Sequence, residues 1–295
     1  MKTIMKRAIC ITNGEQGENH AGMQMLGNGL ADKGYNLEDA LKFKKKFENM
    51  GGTATLYDLR EECLGERKDE CKEEAYVLKF EAGVNVLLWN KIEKEVYKAL
   101  EKKKINGDEI KEKLFEKYNA EKLFEEQFTF EWDKKYWDTR RSKVLNKNAR
   151  WNVCYGKEGQ EPDYENKRGT VIAYSQCRIM RAWRKELLIL IEEKDNDFVA
   201  EGNLYYNVKK TGIGFHGDAE RRKVVAGNFC DEDVIRELNY IAYLKSERIG
   251  KRFRMELKNG DMYIMIAAAA GTDWKKRNKI TFRHAAGVEG SKFLK

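Results

Sequence analysis

The sequence predicts an α+β fold: a small α/β domain with a helical connector over residues 1–125, then a β-barrel or jelly roll over residues 126–295. Three observations point there. Short apolar runs alternate with helix-like stretches before residue 90, which is the pattern of a small α/β unit. Residues 91–126 are rich in lysine and glutamate with apolar residues at helical spacing, as in a solvated connector. After residue 195 short strand-like runs are separated by turns, and the only helical stretch is 231–245.

In chain order, residues 7–12 (RAICIT) read as a buried strand, followed by a polar loop containing Gly14, Gly17 and His20, the last a surface residue. A helix is expected over 21–32. A second starts behind Asn36 as N-cap, with Glu38 and Asp39 in its first turn, and stops at Gly51-Gly52. Residues 53–59 and 75–80 read as strands, and 84–89 as a further apolar segment. The connector divides into two helices at Asn106-Gly107, and the domain boundary is placed near residue 125. Beyond it come a strand at 170–174, a helix at 179–192 and strands at 204–208, 223–226, 252–257, 262–266 and 280–283.

Composition narrows the classes. The chain has 295 residues, 36% of them charged, and a net charge of +8, a mild basic excess that suits a polyanionic partner. Six scattered cysteines without a C-x-x-C pair point to free thiols in a reducing intracellular compartment, cytoplasm or nucleus. No stretch approaches the roughly 20 apolar residues of a membrane span, so no membrane partner is expected. Gly14-x-x-Gly17 matches neither a dinucleotide fingerprint nor a P-loop.

Two features carry chemistry. Residues 211–218 (TGIGFHGD) hold His216 and Asp218, two apart, which on a strand share a face. A second histidine would complete the two-histidine, one-carboxylate set that holds non-haem Fe(II), and among three histidines only His284 is placed for it. The other feature is a stretch of aromatic residues interleaved with cations, from Trp132 through Tyr136, Trp137, Arg140, Arg141 and Arg150 to Trp151. Such a pattern suits base stacking and phosphate contact; it equally suits a core edge with solvated cations.

Four segments together, NLYYNV (203–208), GIGFHGD (212–218), GDMYIM (260–265) and RNKITFR (277–283), resemble the Fe(II)- and 2-oxoglutarate-dependent dioxygenases, in their AlkB-like branch. The resemblance covers about residues 130–295. It implies a double-stranded β-helix (jelly roll), Fe(II) held by His216 and Asp218, and 2-oxoglutarate contacted by Tyr206 and anchored by Arg277 or Arg283. Two alignments remain open. One takes Arg277 and Arg283 as the cosubstrate arginines and leaves residues 267–274 without the third ligand, which implies a catalytically inactive binding or structural module. The other makes His284 that ligand. The activity then implied is oxidative decarboxylation of 2-oxoglutarate coupled to hydroxylation or demethylation, with alkylated or modified nucleic acid as substrate; the only catalytic residues are the metal ligands.

Overall fold

The computed structural model describes residues 5–100 and 107–295, so the expected break at Asn106 lies outside the described residues. The architecture is mixed α/β, dominated by a large sheet. In chain order the strands begin with β1 (Ala8–Gly14), β2 (Gln16–Glu18), β3 (Met25–Gly27), β4 (Thr53–Asp58) and β5 (Ala75–Glu81). The middle of the chain adds β6 (Lys135–Asp138), β7 (Lys143–Asn146), β8 (Trp151–Gly156), β9 (Val171–Ala173) and β10 (Val199–Tyr205). The last are β11 (Ile213–His216), β12 (Val224–Cys230), β13 (Arg236–Leu244), β14 (Glu247–Leu257), β15 (Met262–Ala267) and β16 (Thr281–Gly287). The helices are α1 (Leu37–Glu48), α2 (Leu59–Leu64), α3 (Gly83–Leu100), α4 (Gly107–Phe115), α5 (Ala120–Gln127) and α6 (Arg178–Leu190).

Eight strands form one sheet in the order β4-β5-β15-β12-β1-β10-β8-β9, and four form a second in the order β11-β16-β13-β14. All seven residues of β1 are buried, as a strand covered on both faces must be. One side of the large sheet packs on helices through a core that includes Ile9, Ile11, Phe47, Leu87, Leu123 and Trp183. The other side meets the smaller sheet, with Ala8, Tyr205, Val224, Tyr240, Phe253 and Phe282 in a common cluster. The contact with α6 is close. A Cβ on Gly227 of β12 would lie 2.8 Å from the Trp183 ring, which is why a strand residue without a side chain sits there.

Local signals for α1 hold. The Asn36 side chain accepts from the Asp39 amide while the Asp39 carboxylate accepts from the Asn36 amide, closing a capping box. Three expectations need correction. The helix expected over 21–32 is replaced by a β2–β3 hairpin and loop, because Gly22, Gly27 and Gly29 all adopt positive φ, at +85°, +105° and +103° respectively. The helical stretch at 231–245 is β13, with Arg236, Leu238, Tyr240 and Ala242 alternating against Glu237, Asn239 and Ile241 in a two-residue period. The boundary near residue 125 separates no sheets: β1 pairs with β10 and β12, and β5 pairs with β15, so strands from both sides of it share one hydrogen-bonded layer.

Candidate metal centre

His216 ends β11 and lies directly opposite His284 of β16 in the antiparallel register, which brings the two imidazole rings within 4.4 Å. Asp218 is not on the strand. It arrives through the turn that follows, where its amide donates to the Ala270 carbonyl at 2.9 Å. Gly217 between them is obligatory by packing: a Cβ there would lie 2.1 Å from the Gly271 carbonyl oxygen. The result is a convergent set. Asp218 Oδ1 lies 3.6 Å from His216 Nε2 and 3.5 Å from His284 Nε2, and one ligand atom from each residue falls within 4.8 Å of the others.

Two ligands about 2.1 Å from one ion and at right angles to it are about 3 Å apart, so these spacings fit a shared divalent cation after a small contraction. His216 Nδ1 donates to the Gly214 carbonyl at 2.8 Å, which leaves the Nε2 lone pair facing Asp218. Burial, and next the neighbouring His284, lower the His216 imidazole to about 3, so it is neutral as a ligand must be. Burial alone would raise the Asp218 carboxyl, but the hydrogen bond from His284 and the nearby Arg221 guanidinium outweigh it and hold the group well below the usual carboxylate range. His284 Nδ1 is buried without a hydrogen-bond partner among the described residues, and its ring packs against Tyr240 at 5.7 Å.

The three side chains open onto a cavity of about 350 Å³ between the two sheets, within the range of small-molecule sites. Its walls follow the pleat. Residues 10 and 12 of β1, 201, 203 and 205 of β10, 236 and 238 of β13, 263 and 265 of β15, and 284 and 286 of β16 all face it. Parity therefore decides the other expected site residues. Tyr206 is one residue out of phase: it stacks on Trp151 at 4.4 Å and donates to the Asn148 carbonyl, while Tyr205 takes the cavity position. Arg283 is likewise out of phase with His284, its guanidinium over the Tyr243 ring at 3.9 Å, and Arg277 is exposed on the surface. None of these three lines the cavity, so the assignments of Tyr206, Arg277 and Arg283 to a cosubstrate are not met by this geometry.

Three other arginines do line it: Arg150, Arg221 and Arg236. Arg150 donates to Asn203 Oδ1, and Arg221 is neutralised by Glu201 at 2.6 Å and Glu220 at 2.9 Å. Arg236 differs. It is 2% exposed, Nη1 donates to Asn228 Oδ1 at 2.6 Å, a further side-chain hydrogen bond goes to the Cys10 thiol, and its guanidinium lies over the Tyr205 ring at 4.4 Å. No carboxylate among the described residues comes within ion-pair distance, and Nε has no partner. A buried cation without a counter-charge is costly unless an anion joins it. Sequence reasoning missed Arg236 because it lay in a stretch read as helix; alternation of Arg236, Leu238, Tyr240 and Ala242 was the available signal.

The aromatic and basic stretch is divided by the fold. Trp132 is core, donating from Nε1 to the Gln127 carbonyl, and Trp151 faces away from the metal ligands with Tyr206. β6 and β7 form a separate two-stranded hairpin between them. Among the described residues no helix is long and apolar enough to cross a membrane.

No family model matches the chain. It is 36% identical over 295 residues to an uncharacterized protein of Acanthamoeba polyphaga mimivirus, an alignment that covers 99% of this chain and 100% of that relative.

Proposed function

We propose that this chain, which belongs to the same family as the mimivirus protein, is an Fe(II)- and 2-oxoglutarate-dependent oxygenase acting on modified nucleic acid. The observation that carries the reading is a His216–Asp218–His284 set and an uncompensated Arg236 in the walls of one cavity. A two-histidine, one-carboxylate set leaves ion positions open for a chelating cosubstrate, and a buried guanidinium is suited to the far carboxylate of a 2-oxo diacid. The paired sheets support a double-stranded β-helix, with β1 holding a central place in the larger one. When bound, the iron would supply the oxidising chemistry. The chain's own part is to hold His216 Nε2 and His284 Nε2 against Asp218, to seat an anion at Arg236 and to keep bulk water from the buried wall.

The test is anaerobic Fe(II) titration followed by oxygen-dependent succinate release from 2-oxoglutarate, in wild type and in His284→Ala. Wild type is expected to bind iron and turn over, and the variant to lose both by at least about tenfold. Failure of wild type to bind iron would remove the oxygenase reading; unchanged iron affinity in the variant would remove His284 from the ligand set.

A further inference from the structure

His20 lines the same cavity as the metal ligands and lies in the loop after β2, outside the span of the dioxygenase resemblance. Its ring is stacked on Tyr136 of β6, with centroids 3.7 Å apart and planes 17° from parallel. The two elements are bolted together. Asn19 donates to Asp133 Oδ2 at 2.6 Å, just before β6, and accepts from Lys147 Nζ at 2.6 Å, just after β7. Thus the loop that carries His20 is tied to both ends of the β6–β7 hairpin. At the hairpin, Lys135, Arg140, Arg141 and Lys143 are exposed. Among the described residues Lys135, Arg140 and Lys143 have no ion pair, and Arg141 reaches Asp138 only at 3.9 Å. Burial lowers the His20 imidazole to about 4, so near neutral pH the ring is an uncharged π surface.

Resting on the oxygenase reading for its chemistry, we infer that His20 is a substrate-positioning residue: it stacks on the base of a single-stranded nucleic acid while the β6–β7 hairpin grips the flanking phosphates. Tyr136 backs one face of the imidazole, and a base entering the cavity takes the other. Any base offers a π face to such a platform, and hairpin cations supply affinity without sequence preference. A single strand is favoured because its bases are already unpaired, whereas a duplex must first extrude the base at the cost of unpairing and unstacking it.

The experiment is fluorescence polarisation with a labelled single strand of about 12 nucleotides, in EDTA buffer so that binding is read without metal. His20→Ala is expected to weaken binding about tenfold and His20→Phe to restore it. Arg140→Gln combined with Arg141→Gln is expected to lower the slope of log affinity against log salt by about 1.4, roughly 0.7 for each cation removed. Thermal melts establish that each variant is folded. Unchanged affinity in His20→Ala, no rescue by His20→Phe, an unchanged salt slope, or equal competition by a polyglutamate peptide would each overturn the inference. If the wild type binds no iron while the expected binding pattern appears, the oxygenase reading falls and the stacking surface stands.

Discussion

Arg236 holds a charge where the surrounding side chains offer a ring, an amide and a thiol but no carboxylate. On the proposed oxygenase reading, Arg236→Met should therefore raise the KM for 2-oxoglutarate at least tenfold, measured by succinate release, while the ligand-free protein keeps or gains stability, by ~1 kcal/mol or more in chemical denaturation. A loss of stability without change in KM would show that the charge is structural. Lys147 makes a second residue-scale prediction. Burial lowers its ammonium to about 8, below the value near 10.4 of an unfolded lysine. Between these values the unfolded chain binds the extra proton, so this residue makes stability rise with pH from about 8 to about 10.4, by ~3 kcal/mol at most. Below pH 8 it is charged in both states and its penalty is fully present. Comparing urea midpoints at about pH 7.5 and about pH 10, Lys147→Met should lack that part of the rise seen in wild type. The cluster of His216, Asp218 and His284 was legible because so few residues could form one: the chain has three histidines, and two of them meet beside one carboxylate. Tyr206 and Arg283 were misread because a single residue of phase, set by sheet register, separates the cavity face from the opposite one.

Elements place these residues more strictly than their spacing does. His216 and His284 meet because β11 and β16 are neighbours, whereas Asp218 depends on a turn held against the Gly271 backbone. Gly217→Ala should force that turn outward and weaken Fe(II) binding at least about tenfold, with a smaller effect on the denaturation midpoint, read by anaerobic titration and by urea. An unaltered iron affinity would mean that the turn yields without moving Asp218. Element legibility followed local strength. The α1 helix was visible through its capping box, while β13 was hidden because Arg236 and Glu237 head a strand that is buried between its hairpin neighbour β14 and the later strand β16. The loop at 21–32 went astray because its apolar spacing imitates a helix, and only the backbone at Gly22, Gly27 and Gly29 forbids one.

At the scale of the whole molecule, residues 8–14 are the centre of the large sheet, flanked by strands from the last third of the chain. A fragment of residues 126–295 should therefore fail to unfold cooperatively, and the full chain should lose its secondary structure and its tryptophan burial in one transition. Circular dichroism and fluorescence melts that separate would instead restore the division near residue 125. This long-range pairing was illegible because an apolar strand such as AICIT carries no record of which edge it will enter. The central strand also sets a timetable for synthesis. Its partner β10 begins about 190 residues later, so β1 leaves the ribosome with Ile9 and Ile11 uncovered and waits on the order of 10–40 s at ordinary translation speeds. During that interval the nascent chain offers an unpaired apolar edge to any chaperone or neighbour, and synonymous slowing of translation before β10 should lower the soluble yield of the protein.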